Sequence, residues 1–301
     1  MDYSVFVDFC KEIGVDVKFC EPMYKHTSFK TGGNADVFVC VDCIDKLCAL
    51  LETANALEVP VFILGKGSNL LVSDRGIEGA VVSISGIDEI EIEDNCVTVG
   101  AGASLSALCV AVANAGLSGL EFAYGIPGTV GGALFMNAGA YGGEMVQVVT
   151  SAQYVTSKGV MGEIKTEDMR LGYRTSIFKS NKNIITRVCF KLTKSESQAV
   201  WEKMNDFMER RKSKQPLEFP SAGSTFKRPE GYFAGALIEQ NNLKGARVGG
   251  AMVSEKHAGF VINYENATTD DILKLIGHIK ATVLNNNGVN LETEVIYIGR
   301  K

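Results

Sequence analysis

The run Val61-Phe62-Ile63-Leu64 is an apolar strand pattern that leads straight into Gly65-Lys66-Gly67-Ser68-Asn69-Leu70. Small residues in succession can turn several backbone N–H groups toward one point, which binds an anion without a dedicated charge. Ser68 and Asn69 add side-chain donors. Two familiar phosphate motifs do not fit. A P-loop needs G-x-x-x-x-G-K-[ST], and here Lys66 is followed by Gly67 while position 60 is proline. The dinucleotide fingerprint of a βαβ unit needs a third Gly or Ala where Leu70 stands, followed by a helix. Leu70-Leu71-Val72-Ser73-Asp74 reads as a strand instead. The segment is therefore strand–turn–strand. Taken alone, it fits a phosphate site and an ordinary hairpin turn equally well.

A second segment is unusual in kind. Residues 125–143 read G-I-P-G-T-V-G-G-A-L-F-M-N-A-G-A-Y-G-G, with seven glycines. Glycine lets backbone approach a ligand closely. A solvated linker is excluded, because Ile126, Val130, Leu134, Phe135 and Met136 are too apolar for one. A packed, irregular, ligand-facing segment is expected.

Context widens these two signals. Upstream stands His26-Thr27-Ser28-Phe29-Lys30-Thr31-Gly32-Gly33, and between the two segments lies Val99-Gly100-Ala101-Gly102-Ala103. Taken in this order, with L-G-x-G-S-N-L-L, G-I-P-G-T-V-G-G-A-x-x-x-N-A-G-A-Y-G, Y-R-x-S-x-F and A-G-S-x-F-K, the chain resembles the UDP-N-acetylenolpyruvoylglucosamine reductase family. That family lies within the vanillyl-alcohol-oxidase-like FAD-binding flavoproteins. The resemblance runs from about residue 22 to the end of the sequence. It implies non-covalent FAD and NADPH as reductant. The implied reaction turns UDP-N-acetylglucosamine enolpyruvate into UDP-N-acetylmuramate for peptidoglycan. On the matching positions, FAD contacts fall at Thr31, Gly32 and Gly33, and at Leu64, Gly65, Lys66, Gly67, Ser68, Asn69 and Leu70. Further contacts fall at Gly100 and Ala101, at Gly125, Ile126, Pro127, Gly128, Thr129, Gly131 and Gly132, and at Asn137, Gly139, Ala140, Tyr141 and Gly142.

The implied reaction sets requirements. Hydride addition to the β-carbon of the enolpyruvyl ether leaves negative charge at the α-carbon, delocalised into the carboxylate. A cation and a hydrogen-bond donor are needed there, and a proton donor must serve the α-carbon. The resemblance assigns the proton to Ser224, the carboxylate clamp to Arg174 and the third catalytic position to Glu294. Guanidinium suits the clamp, being permanently charged and able to bind bidentately. Glu294 has to be protonated or hydrogen-bonded beside a substrate carboxylate. Glu292 is its competitor, since residues two apart on a strand share a face; the family's E-V-x-x-I-G ending favours Glu294. Tyr173, Arg174, Lys227 and Arg228 are expected to grip the UDP-sugar, with Lys244, Arg247 and His257 as weaker candidates. Two departures stand out. Arg228 occupies a place where some members carry Asn, and Ile296 a place where many carry Arg; Arg228 is expected to compensate in part. No metal site is expected. After Ile177-Phe178 the sequence passes through residues 179–183 into a strand, so it resembles the shorter branch without a substrate-capping loop. The main alternative is another FAD-dependent oxidase or dehydrogenase of the same superfamily. A non-catalytic flavin or UDP-sugar sensor is the third reading, and it does not call for Arg174, Ser224 and Glu294 together.

Composition agrees with a soluble enzyme. Apolar residues make up 46% and charged residues 22% of the 301, and the net charge of −5 disfavours bulk nucleic-acid binding. No run of about 18 apolar residues suggests a membrane span, and residues 1–4 show no signal-peptide pattern. A cytoplasmic monomer acting on small molecules is expected. The eight cysteines mostly sit in apolar runs and read as buried reduced thiols; Cys40 and Cys43 have C-x-x-C spacing but no second pair at zinc-finger distance.

The elements that must carry these residues read as an α+β chain with an FAD-binding domain over 1–198, split into two subdomains near 85, and a substrate-binding domain over 199–301. Its last strand, 291–299, could return to the FAD domain. Helices are expected over about 4–14, 46–56 (capped by Asp42 or Asp45), 104–114 (stopped by Gly116), 196–212, 232–241 and 269–285. Strands are expected over 35–41, 59–64, 70–73, 80–84, 87–92, 97–100, 146–156, 184–192, 251–253, 260–263 and 295–298.

Overall fold

A computed structural model describes residues 2–301, and contacts divide the chain into two units. The first comprises Met1–Phe19, Val37–Lys66 and Gly79–Arg211; the second comprises Cys20–Asp36, Gly67–Glu78 and Lys212–Lys301. The chain passes from one to the other inside the Gly65–Leu70 turn, between Lys66 and Gly67.

The first unit is built on a five-stranded antiparallel sheet in the order Met161–Lys165, Val149–Val155, Ile184–Lys191, Cys96–Gly100, Ile90–Glu93. Val97, Val99, Val188 and Phe190 alternate onto its buried face, as period-two patterning requires. A parallel pair sets Val61 of Val61–Leu64 opposite Ala80 of Ile77–Ser83. The helices are α1 (Ser4–Glu12), α2 (Ile44–Ala56), α3 (Leu105–Asn114), α4 (Val130–Phe135), α5 (Phe178–Asn181) and α6 (Ser197–Lys214), the last ending just past the unit's boundary. Leu47, Leu50, Leu51 and Ala54 of α2 are buried at helical spacing.

The second unit packs α7 (Ala234–Gln240) and α8 (Thr269–Asn287) with a three-stranded antiparallel sheet, Arg247–Val248, Ala251–Val253, Val261–Asn263. Its core includes Phe29, Leu71, Phe226, Ile238, Val261 and Ile279. The closing strand Ile296–Ile298 lies parallel to Leu70–Val72, Ile296 opposite Leu70. The capping signal of residues 268–271 is realised in full: the Thr268 hydroxyl accepts from the Asp271 amide, and the Asp271 carboxylate accepts from the Thr268 amide.

Four expectations need correction. The segment 125–143 is not wholly irregular, because α4 forms inside it; Thr129 caps that helix by accepting from the Gly132 amide at 3.2 Å. Cys43, not an aspartate, is the N-cap of α2 and makes no side-chain cap bond; Asp45 sits in the first turn instead. The strand expected over 146–156 starts at Val149, because Met145–Gln147 form a 3-10 turn closed by a Glu144–Gln147 capping box. Finally, although all eight cysteines are free thiols, only Cys10 and Cys109 are buried; Cys20 and Cys96 lie on solvent-facing positions of their strands.

Candidate active site

In the first unit three of the glycine-containing segments converge. Residues 100–105 run beside 128–131: Gly131 N donates to Ala101 O at 2.8 Å, Val130 N to Ala103 O at 2.9 Å and Leu105 N to Gly128 O at 3.1 Å. A Cβ added at Gly65 would stand 2.8 Å from Thr129 Oγ1, so the turn abuts the start of α4. Lys66 is exposed and its ammonium donates to Ser104 Oγ at 2.8 Å. Ser104 is the N-cap of α3 by position, yet it makes no cap bond. Its hydroxyl serves Lys66 instead.

The glycine segment also builds the turn that carries Arg174. Asn137 is buried, and its side-chain amide donates to Gly172 O and to the Glu144 carboxylate, both at 3.1 Å, while its oxygen accepts from Val146 N. Gly172 and Thr175 exchange both backbone hydrogen bonds at 3.2 Å, leaving Tyr173 and Arg174 at the tip of a two-residue turn. Arg174 has φ +53, a left-handed backbone that a branched or long side chain seldom adopts. The strain is held by contacts on all sides. Arg174 Nη2 donates to Gly139 O at 3.2 Å, its own carbonyl accepts from Lys179 Nζ at 2.6 Å, and its guanidinium lies 5.2 Å from the Tyr173 ring. Backbone strain of this kind collects at functional sites. After the turn, α5 and the two residues Lys182–Asn183 lead directly into Ile184–Lys191, so no long loop intervenes.

In the second unit the other half of the turn meets residues 27–33. Ser28 N donates to Gly67 O at 3.2 Å. Gly67 has φ +60, and a Cβ there would collide with the His26 carbonyl oxygen, so glycine is required. Asn69 turns inward: its side-chain amide donates to Glu294 O at 3.2 Å, and its carbonyl accepts from Ile296 N at 3.0 Å.

Ser224 lies on a segment stitched from both sides. Thr225, fully buried, donates its amide to Gly259 O at 2.9 Å and accepts from Val261 N on its hydroxyl at 3.0 Å. On the other side Glu294 N donates to Thr225 O and Lys227 N to Glu292 O, both at 2.9 Å. Half-buried Ser224 donates its hydroxyl to Phe226 O at 3.2 Å. Ser224 and Glu294 thus lie on two segments joined by an isolated antiparallel bridge at Phe226 and Thr293. The two glutamates differ sharply. Glu292 is exposed and pairs with Lys227 at 2.9 Å, whose ammonium holds the Glu292 carboxyl below its ordinary range; Glu294 is half-buried. Lys227 is therefore engaged by a carboxylate and not simply presented to solvent. Arg228 stacks its guanidinium 4.0 Å from the Phe233 ring. Of the weaker candidates, Lys244 pairs with Glu239 at 2.6 Å and Arg247 covers the Tyr264 ring at 4.2 Å. His257 accepts the Gly259 amide on Nδ1 at 3.1 Å, and burial pushes its pKa below the usual imidazole value.

Whether these residues suit a bound diphosphate-containing cofactor can be tested on one atom. Thr31 is 4% exposed, and its Oγ1 is buried with no hydrogen-bond partner. A buried hydroxyl left unsatisfied is costly, and it lies in the Thr31-Gly32-Gly33 motif. Together with the Ser28–Gly67 contact, this orphan donor suits an anionic or polar group, so the residues fit. Of the cofactor positions the sequence suggests, Thr31–Gly33 and Gly67–Asn69 belong to the second unit, and Gly65, Lys66, Gly100–Ala101 and Gly128–Gly132 to the first.

The sequence comparisons agree with the geometry. Residues 35–165 match the FAD binding domain family, and residues 215–298 match the C-terminal domain family of UDP-N-acetylenolpyruvoylglucosamine reductase. The UDP-N-acetylenolpyruvoylglucosamine reductase of Lachnoclostridium phytofermentans is 48% identical over 286 residues, covering 93% of this chain and 92% of its own length. That of Clostridium perfringens is 45% identical over 300 residues, with 98% and 99% covered. The chain belongs to the UDP-N-acetylenolpyruvoylglucosamine reductase family. Among solved structures, the crystal structure of the Thermus caldophilus enzyme of that name superposes with a TM-score of 0.80 at 34% identity, covering 94% of this chain and 98% of that one. A more distant likeness, to alkyldihydroxyacetonephosphate synthase (TM-score 0.50, 17% identity, 64% of this chain), is one of fold alone. Membership makes the protein an FAD-dependent oxidoreductase, with an α+β FAD-binding module followed by the family's C-terminal domain. Among the described residues no helix is long and apolar enough to cross a membrane.

Sequence reasoning missed three residues that organise the site. Phe233, Thr225 and Lys179 carry no motif signal of their own. Each acts through a neighbour, by stacking on Arg228, anchoring Ser224 or fixing the Arg174 carbonyl.

Proposed function

We propose that the protein reduces UDP-N-acetylglucosamine enolpyruvate to UDP-N-acetylmuramate, with NADPH as the source of electrons, as a step toward peptidoglycan. The flavin, when bound and reduced, supplies hydride to the β-carbon of the enolpyruvyl ether. The protein's own residues handle charge and protons. Arg174 is the clamp on the substrate carboxylate, a role supported by its strained turn, which fixes the guanidinium before substrate arrives. Ser224 delivers a proton from its hydroxyl to the α-carbon; the resulting enolate is basic enough to accept one from a serine. Glu294 contributes beside the carboxylate in a protonated or hydrogen-bonded form, since a bare carboxylate there would repel the substrate.

The observation that carries this reading is the 2.9 Å hydrogen bond from Glu294 N to Thr225 O, which sets the proposed third residue next to the proposed proton donor. We read residues 1–198 as the FAD-binding part, 199–301 as the substrate-binding part, and the working form as a monomer. Tyr173, Lys227 and Arg228 are the proposed grips on the UDP-sugar. The test is product analysis in deuterium oxide with NADPH as reductant. The reading requires a UDP-sugar bearing a saturated lactyl ether, with solvent deuterium at the α-carbon. Unchanged enolpyruvyl ether would end it.

A further inference from the structure

The segment that follows Lys227 folds back on itself. Tyr232 N donates to Pro229 O at 3.2 Å, closing a four-residue turn with Gly231 at φ +74 in its third position. That is the position at which a turn of this class needs a left-handed residue. The reversal delivers Phe233 to the start of α7 in extended conformation (φ −115, ψ 122), where its carbonyl accepts from Leu237 N at 3.1 Å. Its backbone is thus held on both sides. The ring is also 62% exposed, unusual for a phenylalanine, and the contact that covers it is the Arg228 guanidinium, 4.0 Å from its centroid.

We infer that Phe233 is a positioning residue for Arg228: it holds the guanidinium flat, so that the in-plane N–H fork is presented to a diphosphate oxygen of the nucleotide-sugar substrate. A stacked guanidinium uses its face on the ring and keeps its donors in the plane, where a bidentate anion contact forms. An arginine on an exposed segment would otherwise lose rotamer freedom on binding substrate; stacking removes that loss beforehand. Phe233 needs no contact with the substrate to act this way. The inference rests on the proposed reading of the reaction and on Arg228 as a substrate grip.

The test measures KM and kcat for the enolpyruvyl UDP-sugar, and separately the anaerobic rate of flavin bleaching by NADPH, in Phe233→Leu, Phe233→Trp, Arg228→Ala and the Arg228→Ala/Phe233→Leu double variant. Phe233→Leu should raise KM by about three- to fivefold, the scale of an exposed cation–π contact, with kcat and the bleaching rate unchanged. Phe233→Trp should leave KM at or below the parent value. Arg228→Ala should raise KM by about tenfold or more, and the double variant should be no worse than Arg228→Ala alone. An additive double variant, or Arg228→Ala with raised KM but Phe233→Leu without, overturns the positioning role while the reaction stands. An unchanged KM in Arg228→Ala overturns it at Arg228. No turnover of the UDP-sugar by the parent protein would instead bring down the functional reading beneath it.

Discussion

The side-chain amide of Asn69 donates to the backbone carbonyl of Glu294 at 3.2 Å, tying the last polar residue of the Gly65–Leu70 turn to the proposed third catalytic residue. The link is reinforced by Ile296 N donating to Asn69 O at 3.0 Å, so Asn69 holds the chain on both sides of Val295, directly after Glu294. One residue therefore belongs to the proposed cofactor turn and also holds the segment that carries the proposed third catalytic residue. Asn69→Ala should lower stability by about 1 kcal/mol, the typical contribution of one such hydrogen bond. It should also slow substrate-driven flavin reoxidation more than reduction by NADPH. Urea unfolding and the two anaerobic half-reactions measure these effects; equal slowing of both halves would assign Asn69 to the cofactor alone.

The two glutamates should separate cleanly. Glu294→Ala is expected to slow reoxidation by substrate by about a hundredfold, the lower end of general acid–base effects. Glu292, exposed and paired only with Lys227 among the contacts described above, should tolerate alanine with less than about a threefold change. Stopped-flow reoxidation rates for both variants check this, and the reverse order would hand the role to Glu292.

Arg174 combines strain with charge, and a substitution can remove one without the other. Asn tolerates a left-handed backbone, so Arg174→Asn should unfold within about 1 kcal/mol of the parent. It should still raise substrate KM or lower kcat by about tenfold or more, because no cation remains for the carboxylate. Arg174→Lys should recover only part, lacking the planar fork. Thermal melts and steady-state kinetics on the two variants test the separation; a collapse in stability for Arg174→Asn would make the turn structural.

Thiol chemistry should report burial. Burial pushes the Cys10 thiol up to about 11 and the Cys109 thiol up to about 12, so both stay protonated and shielded at neutral pH. Cys20 and Cys96 are exposed. A disulfide exchange reagent at pH 8 should label Cys20 and Cys96 within the first phase, and Cys10 and Cys109 only after denaturation. Early labelling of Cys109, mapped by mass spectrometry, would contradict the packing of α3.

Much of this arrangement was legible in the sequence where the signal is local. The α8 cap was written in Thr268-Thr269-Asp270-Asp271, and the strand–turn–strand reading of residues 61–72 holds because no helix follows Leu70. Helix α4 was hidden because two glycines, poor helix formers, sit in its first turn; it forms because Thr129 caps it and the amides of Val130 and Gly131 are taken up by residues 101–103. The strand Asp16–Pro22 escaped because it is largely exposed and its polar–apolar alternation lasts only four residues, breaking off at Cys20. The Asn69–Glu294 bond joins positions 225 residues apart, a distance over which no spacing argument operates. The same holds for Ser224 and Glu294: motifs could name both, but only the Thr225 backbone bonds show what brings their segments together.

The central claim is a division of labour, in which Ser224 serves the substrate half of the reaction and not the reductant half. The most direct measurement is anaerobic stopped-flow absorbance of the flavin in the parent protein and in Ser224→Ala. In the parent, NADPH should bleach the flavin and the enolpyruvyl UDP-sugar should restore its colour. In Ser224→Ala, bleaching should proceed at the parent rate while restoration by the UDP-sugar slows by about a hundredfold to ten-thousandfold. A parent flavin that only oxygen reoxidises, or a Ser224→Ala variant slowed equally in both halves, would contradict the account.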